Sequence, residues 1–426
     1  MGVHSQNVVM LSQRRANFFG QIGKLGENKP VSFILTLLGT MFGIDIAWLV
    51  CAVLLTHRRP WSVVAIAFIV AQILGLLCLV GGRMLQTNWD RTLPKFVSSA
   101  IFIWHFFGIA ALVLVAVLAL MFSTLLAVKH AVSPRKETTA AQAEAQITRR
   151  QFLEITAALA PPLFTLSLTG IAMAQLRSFR VRRFVLAIPS LPRALDGLTI
   201  AQVSDMHVGR FTSGCVLREI VKTTNELRAD LVLLTGDLIN DALADLTHGI
   251  ELVKAMEARF GIWMIEGNHD LIENGREFER RVRESGVPFL LDQSDVVTIR
   301  GVPVQLFGVR WVRSRNHDEA IAESVHAVLQ TRQPDAFPIL LAHHPHAFDA
   351  AADAGLPLTL CGHTHGGQLM LNERCGFGPA LFRYWSGHYV RGGSQLIVSN
   401  GVGNWFPLRI NAPAEIVHIT LRSAAA

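Results

Sequence analysis

Residues 358–367 read LTLCGHTHGG, and this stretch indicates the fold of the second half of the chain. A short strand-like run leads directly into a glycine, two histidines one residue apart, and two more glycines. The same arrangement, an apolar run followed by a residue able to bind a metal, occurs before positions 205, 237, 268 and 343. In α/β sheets, loops at the carboxyl ends of strands converge on a crevice. The pattern therefore predicts a site assembled from several loops at one edge of a sheet.

The polar residues in these loops form five short strings. In chain order they are Asp205-Met206-His207, Gly236-Asp237, Gly267-Asn268-His269-Asp270, His343, and Gly362-His363-Thr364-His365. Carboxylate, amide and imidazole groups without a thiolate are typical ligands of divalent Mn, Fe, Zn, Ni or Co. Seven such ligands are too many for one ion with an open position, and they suit two ions about 3.5–4 Å apart. Two aspartates offset only part of the charge of two divalent cations, so the site is predicted to attract an anionic phosphate.

Taken together and in this order, the five strings resemble the motifs of the calcineurin-like metallophosphoesterase superfamily. Residues 387–416 resemble its bacterial membrane-associated phosphodiesterase branch, and the resemblance covers residues 184–426. It implies a two-sheet α/β sandwich flanked by helices. It also implies hydrolysis of a phosphodiester or pyrophosphate bond by a hydroxide shared between two metal ions. A lipid or lipid-linked phosphate ester is the expected substrate, and the pyrophosphate of a UDP-acylated sugar is one example within the family.

The resemblance also implies a role for each residue of the strings. Asp205, His207 and His365 are expected to bind one ion, Asn268, His343 and His363 the other, and Asp237 both. His269 is expected to be no ligand, but to donate a proton to the leaving oxygen or to stabilise the transition state.

Three further positions near the strings remain open. Asp241 and Asp270 either orient metal ligands or cap helices. Arg210 either contacts phosphate or is solvated. Asn400 departs from the basic residue that the family pattern has at its position, so no substrate contact is assigned there.

The first half of the chain has the composition of a membrane region. Residues 31–56, 61–82 and 96–128 are apolar runs, each longer than the roughly 20 residues that cross a bilayer. They predict three transmembrane helices within residues 31–128, after a polar, basic tail at residues 1–30. The formal net charge of +7 and the mean hydropathy of +0.37 agree with a membrane protein. Much of the basic excess flanks the apolar runs, where it would meet anionic lipid headgroups.

Two ionisable residues interrupt these runs, Asp45 in the first and His105 in the third. Charged groups in lipid are costly, so such residues often line a polar path. They also occur where one helix simply faces another. The first interpretation predicts a transporter with an accessory domain, and the second predicts an ordinary helix contact.

A fourth apolar segment, residues 151–176, follows a polar linker at residues 129–150. The linker ends in TRRQFL at residues 148–153, which resembles a twin-arginine export signal, and Ala172-Met173-Ala174 resembles a cleavage site. The alternative is an ordinary fourth span with basic flanks. Export predicts an extracytoplasmic catalytic domain on a multi-pass protein of the inner membrane. The distribution of Lys and Arg between loops favours the opposite side.

From residue 180 to residue 426, short β-rich runs alternate with helix-like stretches, as in an α/β domain. The strands are predicted at residues 184–188, 198–203, 231–234, 262–265, 296–299, 304–307, 339–342, 358–361, 396–398 and 416–421. The helices are predicted at residues 213–227, 243–258, 274–285 and 318–330. The close spacing of the runs near 296–307 indicates an antiparallel pair. The fold class that fits best is a two-sheet sandwich with helices outside.

Two classes of function remain for this domain. The first is a membrane-anchored metal-dependent phosphoesterase, and the second is a sensor or binding module that retains a phosphorylated ligand and signals through the helices. Nucleic acid is not an expected partner, because no basic stripe interleaved with aromatic residues is present. The five cysteines have no CxxC spacing, so they are predicted to be free and buried thiols.

Overall fold

The computed structural model describes residues 29–55, 59–84, 93–108, 149–314, 316–368, 370–372, 375–376 and 378–423, with residues 113, 117, 120, 121, 124 and 128. Most of the predicted tail and linker, and much of the third apolar run, lie outside these residues. The chain divides into two compact units. One comprises residues up to Leu93 together with Ala100–Ser167, and the other comprises Pro94–Ser99 and Leu168–Ala426.

Four helices precede the first strand in the described residues. They are α1 (Lys29–Leu55), α2 (Arg59–Met84), α3 (Lys95–Ile103), which continues into a π-helical turn (Trp104–Gly108), and α4 (Arg149–Gln175). Within the described part of the chain, only Trp61–Gly82 of α2 is long and apolar enough to cross a membrane, with a mean hydropathy of 2.9. Leu38–Val50 and Leu159–Gln175 are shorter apolar helices. More than one span therefore stays a prediction.

Asp45 of α1 and His105 of the π-helical turn are buried and contact each other. Oδ2 of Asp45 lies 3.1 Å from Nε2 of His105, and Oδ1 of Asp45 accepts a hydrogen bond of 2.7 Å from Nε1 of Trp104. Nδ1 of His105 lies 2.8 Å from the carbonyl oxygen of Ile101. The two ionisable groups thus satisfy one another within the helical unit, which favours a contact between neighbouring helices.

The second unit contains two mixed sheets. The first has the strand order β1-β13-β2-β3-β4, and the second has the order β11-β12-β8-β7-β6-β5. Their main strands are β1 (Phe179–Ile188), β2 (Thr199–Val203), β3 (Leu231–Thr235), β4 (Ile262–Ile265), β5 (Gln293–Ile299), β6 (Val302–Gly308), β7 (Phe337–Leu341), β8 (Leu358–Cys361), β11 (Gly387–Arg391), β12 (Ser394–Val398) and β13 (Ala414–Ser423). Two short strands, β9 (Met370–Asn372) and β10 (Cys375–Gly376), form a separate ribbon.

Helices cover the outer faces of the sheets. They are α5 (Cys215–Glu226), α6 (Leu246–Lys254), α7 (Gly275–Ser285), α8 (His317–Leu329), α9 (Ala347–Asp353) and the short α10 (Gly378–Leu381). Helix α7 has capping residues at both of its ends. The side chain of Asn274 accepts a hydrogen bond from the Glu277 amide at its beginning, and Gly286 adopts a left-handed conformation, φ 79°, at its end.

Successive side chains of each strand point to opposite faces of the sheet, and this divides the core into an inner layer and two outer layers. In β3, Leu231 and Leu233 pack between the sheets, while Val232 and Leu234 pack toward the outer helices. This is the two-residue period expected of a strand covered on both faces. The inner layer contains residues of both sheets, and the outer layers join the first sheet to α5–α7 and the second to α8 and α9.

The predicted fold class, a two-sheet sandwich flanked by helices, is confirmed. The antiparallel pair near residues 296–307 is also confirmed, as β5 pairs antiparallel with β6. The described cysteines are free, but Cys215 and Cys375 are exposed, so the prediction of buried thiols is wrong for these two.

Candidate metal centre

The predicted ligands follow five strands. In the first sheet, β2 leads to Asp205 and His207, β3 to Asp237, and β4 to Asn268 and His269. In the second sheet, β7 leads to His343, and β8 leads to His363 and His365. The sandwich therefore brings together the ligand loops of two sheets, although 74 positions separate His269, in the first sheet's loops, from His343, in the second sheet's loops.

The backbone at five of these residues is left-handed. Asp205, His207, Asp237, His363 and His365 have φ angles of 55°, 45°, 55°, 72° and 50°. Non-glycine residues rarely adopt this conformation, which costs on the order of 1–3 kcal/mol each and is concentrated at functional sites. Backbone hydrogen bonds between the first two loops hold it, since the amides of Asp205 and His207 donate to the carbonyls of residues 236 and 237.

Two glycines allow the loops to approach this closely. A Cβ atom at Gly362 would overlap the side chains of Ser204 and Asp205. A Cβ atom at Gly267 would overlap the Asp237 carboxylate and its backbone nitrogen. Glycine at both positions is therefore a packing requirement of the assembled site.

Three groups of ligand atoms lie within 4.8 Å of one another. They are Asp205, His207 and His365; His207, Asp237 and His269; and Asp205, Asp237 and His343. Asp205, His207 and Asp237 each belong to two groups, so the groups form one continuous cluster. All of its members are buried except His269, which is half-buried.

The separations within the cluster match ligands that share a cation. Nε2 of His207 lies 3.0 Å from Nε2 of His365, and Nε2 of His365 lies 3.2 Å from Oδ1 of Asp205. Nε2 of His343 lies 3.1 Å from Oδ2 of Asp237. Two ligands at about 2.1 Å from one ion, at angles of about 90–110°, are about 3.0–3.4 Å apart.

Asn268 and His363 form a pair beside this cluster. Oδ1 of Asn268 lies 2.9 Å from Nδ1 of His363. His363 is in none of the three groups, but its ring lies 5.1 Å from that of His343. The structure thus brings every sequence-predicted ligand into one region, with His363 more peripheral than the others.

The orientation of His343 indicates that a cation fits here. Its Nδ1 lies 2.7 Å from the carbonyl oxygen of Thr235, so the Nδ1 proton is donated there and Nε2 faces the Asp237 carboxylate. Nε2 of His343 and Nδ1 of His207 are buried without a hydrogen-bond partner among the described residues. A neutral His343 would direct a lone pair at the Asp237 carboxylate, which is unfavourable unless a proton or a metal cation lies between the two groups.

The electrostatics agree with neutral imidazoles around ionised carboxylates. Burial, together with the nearby His269 ring, holds the pKa of His207 well below the usual range. Burial, together with the nearby His343 ring, does the same for the pKa of His363. Burial opposes ionisation of Asp205, but the His365 ring outweighs it and holds the pKa of that carboxyl well below its usual value. Deprotonated ligands are what metal binding requires.

His343 differs from the other histidines. Burial disfavours its protonation, but the Asp237 carboxylate outweighs burial and raises the pKa of His343 to about 9. The site therefore attracts positive charge to the space between these two side chains. A cation bound there would satisfy the same attraction.

His269 is fixed at the edge of the cluster. Its Nδ1 lies 2.6 Å from the carbonyl oxygen of Asn240, so Nδ1 donates and Nε2 is left for the site. Its amide donates to Oδ1 of Asp237 over 2.7 Å. The ring of His269 meets that of His207 edge-on, with a centroid distance of 4.6 Å.

Asp270 connects two of the ligand loops. One carboxylate oxygen accepts from the amide of Ile239 and the other from the amide of Gly267, at 3.0 and 2.9 Å. Asp270 is buried, and the cap of the next helix is Asn274. These contacts favour an orienting role over helix capping for Asp270.

The structure also shows the surroundings of Asn400 and Arg210, the two positions considered for substrate contact. Asn400 is buried and accepts a hydrogen bond of 2.7 Å from Ser386, so it supports the loop from inside. Arg210 donates to Oγ of Ser98 from two nitrogens, at 3.0 and 2.8 Å.

Arg409 is a buried neighbour of the site that sequence reasoning missed. Its Nη2 donates to Nδ1 of His365 over 2.8 Å, and its Nε donates to Oδ1 of Asn404 over 2.7 Å. The guanidinium also donates to the carbonyls of residues 400, 401, 403 and 412. The signal available in the sequence was a single arginine within the otherwise uncharged segment 405–412.

Aromatic side chains flank the centre on two sides. The Trp311 ring lies 4.9 Å from that of His363, and the Trp405 ring lies 5.7 Å from that of His269. The Trp311 amide donates to the buried carboxylate of Glu266 over 3.1 Å, and burial with the nearby Glu279 raises the pKa of Glu266 to about 7. Neither tryptophan was singled out from the sequence.

The sandwich and its histidine and carboxylate cluster define a metal-dependent phosphoesterase. Residues 198–367 match the calcineurin-like phosphoesterase family. The chain is 30% identical over 218 residues to YkuE of Bacillus subtilis, an uncharacterised metallophosphoesterase, and this match covers 49% of the chain and 73% of YkuE. The chain therefore belongs to the calcineurin-like phosphoesterase family.

Two other relatives are of interest. The phosphodiesterase YaeI of Escherichia coli is 26% identical over 206 residues, which cover 46% of the chain and 72% of YaeI. A transmembrane protein with a metallophosphoesterase domain from Danio rerio is 29% identical over 224 residues, which cover 49% of each protein.

Proposed function

We propose that this protein is a membrane-anchored phosphoesterase that uses two divalent metal ions to hydrolyse a phosphodiester or pyrophosphate bond. One observation carries the proposal. Asp237 belongs to two of the three ligand groups, with His207 and His269 in one and with Asp205 and His343 in the other. Oδ2 of Asp237 lies 3.6 Å from Nε2 of His207 and 3.1 Å from Nε2 of His343, so this carboxylate stands between two imidazoles and is suited to bridge two ions.

The pairs of close atoms support the assignment of ligands that the family resemblance implies. Asp205, His207 and His365 would hold one ion, Asn268, His343 and His363 the other, and Asp237 both. The 3.0 Å and 3.2 Å separations support the first set. The 2.9 Å and 3.1 Å separations support the second. The donor set suits Mn, Fe, Zn, Ni or Co.

The chain's own residues complete the chemistry. When bound, the two cations would supply charge stabilisation for the phosphoryl group and the acidity that makes water a nucleophile at neutral pH. His269 would donate a proton from Nε2 to the leaving oxygen, because its Nδ1 is committed to the carbonyl of Asn240. Asp270 holds the loops of Asp237 and Asn268 in register through two backbone amides.

Exposed apolar side chains support anchoring in a membrane. On α2, Val63 and Leu74 are 62% and 61% exposed, within the segment Trp61–Gly82. Large apolar side chains at this exposure are suited to lipid. We propose that residues 31–128 form three spans, that residues 151–176 form a fourth or a signal-like helix, and that residues 180–426 form the catalytic domain.

The proposed location is the inner membrane, with the catalytic domain on the extracytoplasmic side. The support for this side is the twin-arginine-like string at residues 148–153. The test is a reporter enzyme that works only outside the cytoplasm, fused after Ala426. The fusion should show reporter activity if the catalytic domain is extracytoplasmic. A reporter active only inside would reverse the assignment.

Membrane proximity in turn supports a lipid or lipid-linked phosphate ester as substrate. The pyrophosphate of a UDP-acylated sugar is one candidate. Release of the corresponding phosphate product from such a substrate in mixed micelles, compared with a water-soluble diester, tests this class.

The activity itself can be tested with the full chain purified in detergent. With Mn it should hydrolyse bis-p-nitrophenyl phosphate, and Asp237→Asn and His269→Ala should each lower kcat at least about a hundredfold. His248→Ala is the matched control, since His248 is an exposed histidine on α6. A wild-type chain that binds two metals and retains phosphate without turnover of mono-, di- or pyrophosphoesters would instead indicate a sensor.

A further inference from the structure

We infer that Trp405 is a specificity residue that contacts an apolar leaving group of the substrate. The inference rests on the proposed function, because it assigns to His269 the proton that the leaving oxygen receives. It adds the chemical class of the group bonded to that oxygen, and it names the side chain that recognises it.

The position of Trp405 is the first argument. Its ring lies 5.7 Å from the ring of His269, at an interplanar angle of 47°. Hydrolysis breaks the bond between phosphorus and the leaving oxygen, joins phosphorus to the oxygen of a hydroxide formed from water, and transfers the His269 proton to the leaving oxygen. The proton that the water gives up replaces, in the net balance, the one that His269 donates. In a phosphodiester, the leaving oxygen must therefore come within hydrogen-bond reach of His269, which would bring the carbon attached to it toward the Trp405 ring.

Exposure is the second argument. Trp405 is 38% exposed, whereas its neighbour Phe406 is buried. Ile272, whose amide donates to the carbonyl of His269 over 3.2 Å, is 41% exposed. Trp405, whose ring lies beside that of the proposed acid, and Ile272, three residues after that acid in the chain, thus both remain in contact with solvent. An aryl ring or an alkyl chain would cover this surface favourably.

The rigidity of the segment before Trp405 is the third argument. The Gly403 amide donates to the carbonyl of Asp205 over 2.8 Å, and the Asn404 amide donates to Oγ1 of Thr212 over 2.7 Å. Buried Arg409 fixes the side chain of Asn404. The backbone that carries Trp405 is therefore tied directly to the first metal-ligand loop, as expected for a preorganised substrate contact.

Binding can be measured without turnover. We would titrate the metal-loaded full chain in detergent with methylphosphonate, phenylphosphonate and hexylphosphonate by calorimetry. Trp405→Ala should weaken phenyl- or hexylphosphonate at least about tenfold more than methylphosphonate, and Trp405→Phe should retain most of the affinity. Leu381→Ala, which removes an exposed apolar side chain on α10, is the matched control and should leave the affinity for each of the three phosphonates unchanged.

If Trp405→Ala loses affinity only for phenylphosphonate, the leaving group is a planar ring. If it loses affinity only for hexylphosphonate, the leaving group is an alkyl chain. Metal content equal to that of wild type would show that the loss does not come from a damaged centre. Equal affinity changes for all three probes would overturn the inference.

Turnover adds a regiochemical test. Hexyl methyl phosphate can release hexanol or methanol, and mass spectrometry distinguishes the two products. The wild-type chain should release hexanol preferentially, and Trp405→Ala should lose that preference. Wild-type turnover with no preference would refute the role of Trp405. Absence of turnover of this diester, of bis-p-nitrophenyl phosphate and of a pyrophosphate together would refute the proposed function, and the phosphonate titrations would still decide whether Trp405 recognises an apolar group.

Discussion

Arg409 donates a hydrogen bond from Nη2 to Nδ1 of His365 over 2.8 Å, which joins the loop before the last strand to the loop after β8. A guanidinium has only donors, so Nδ1 of His365 accepts and the ring proton is on Nε2, which faces Asp205. A cation bound at Nε2 would replace that proton. The same guanidinium binds four backbone carbonyls. Arg409 therefore orients a ligand and holds the surrounding loop at the same time.

Replacing Arg409 by methionine should both destabilise the protein and weaken metal binding. The buried carbonyls around it would lose their donors, at roughly 1–3 kcal/mol for each group left unsatisfied. We expect at least about 3 kcal/mol lower stability by thermal unfolding, and lower metal content by mass spectrometry. Arg422→Met is the control, because Arg422 is exposed and pairs with the exposed Asp196 side chain. Full metal content in the Arg409 variant would contradict the orienting role.

Gly362→Ala should abolish metal binding. The added methyl group would overlap Ser204 and Asp205, and both side chains are buried at the centre. Overpacking of this kind typically costs about 1–3 kcal/mol and displaces the neighbouring side chains. Metal content and circular dichroism separate loss of the site from loss of the fold. Gly170→Ala is the control, since no atom lies within 4 Å of the added methyl group there, and it should bind metal normally.

The buried pair of Asp45 and His105 should behave as a unit. Asp45→Leu removes one partner and takes away the carboxylate that His105 and Trp104 contact, which costs about 3–5 kcal/mol in comparable buried pairs. Replacing both residues by leucine should be less harmful than either single replacement. Thermal unfolding of the full chain in detergent measures all of the variants. Ile46→Ala, on an exposed side chain of α1, is the control. Additive losses would show that the two residues act independently.

His418 should make stability depend on pH below neutrality. Half-burial, together with the neighbouring Arg183, lowers the pKa of His418 below its usual value of 6.5. The unfolded chain therefore takes up this proton at a higher pH than the folded chain. The folded protein therefore loses stability as the pH falls from 6.5, the pKa of His418 in the unfolded chain, toward the lower pKa of His418 in the folded chain. The fall in Tm from pH 7.5 to pH 5.5 should be smaller in His418→Gln than in wild type, and an equal fall would contradict the prediction.

Removal of metal should lower the stability of the catalytic unit. Cations that bind only the folded chain stabilise it by mass action, by about 2.7 kcal/mol at a concentration one hundred times Kd. Chelation should therefore lower Tm, and Mn should restore it. Asp237→Asn should show little response to either treatment, because its bridging carboxylate is lost. An unchanged Tm in the chelated wild-type chain would argue against a site that binds cations tightly.

The sequence predicted the strands that carry the ligands because those strands are covered on both faces. Leu231–Thr235 and Leu358–Cys361 are continuous apolar or strand-forming runs, and the residues after them are chemically unusual. Strand β11 was missed because its side chains, from Gly387 to Arg391, are mostly exposed and polar. A strand on the edge of a sheet carries a weaker pattern than a central one.

The sequence did not predict the contacts that depend on distant pairing. Arg409 acts on His365 across 44 positions, and Trp405 lies beside His269 although 136 positions separate them. No local periodicity encodes such neighbours. The extension of β1 to Phe179 was missed for the same reason, since its basic residues are stabilised by β13, where Glu415 binds Arg180 and Arg182.

The place of β13 has a consequence for biosynthesis. This strand comes last in the chain, yet it lies between β1 and β2 in the first sheet. Its residues are still inside the ribosome when every metal ligand has already emerged. The first sheet can therefore close only after β13 has been synthesised and has emerged, and a nascent chain that still lacks β13 should hold the ligand loops without the strand that brings the sheet's edge and centre together.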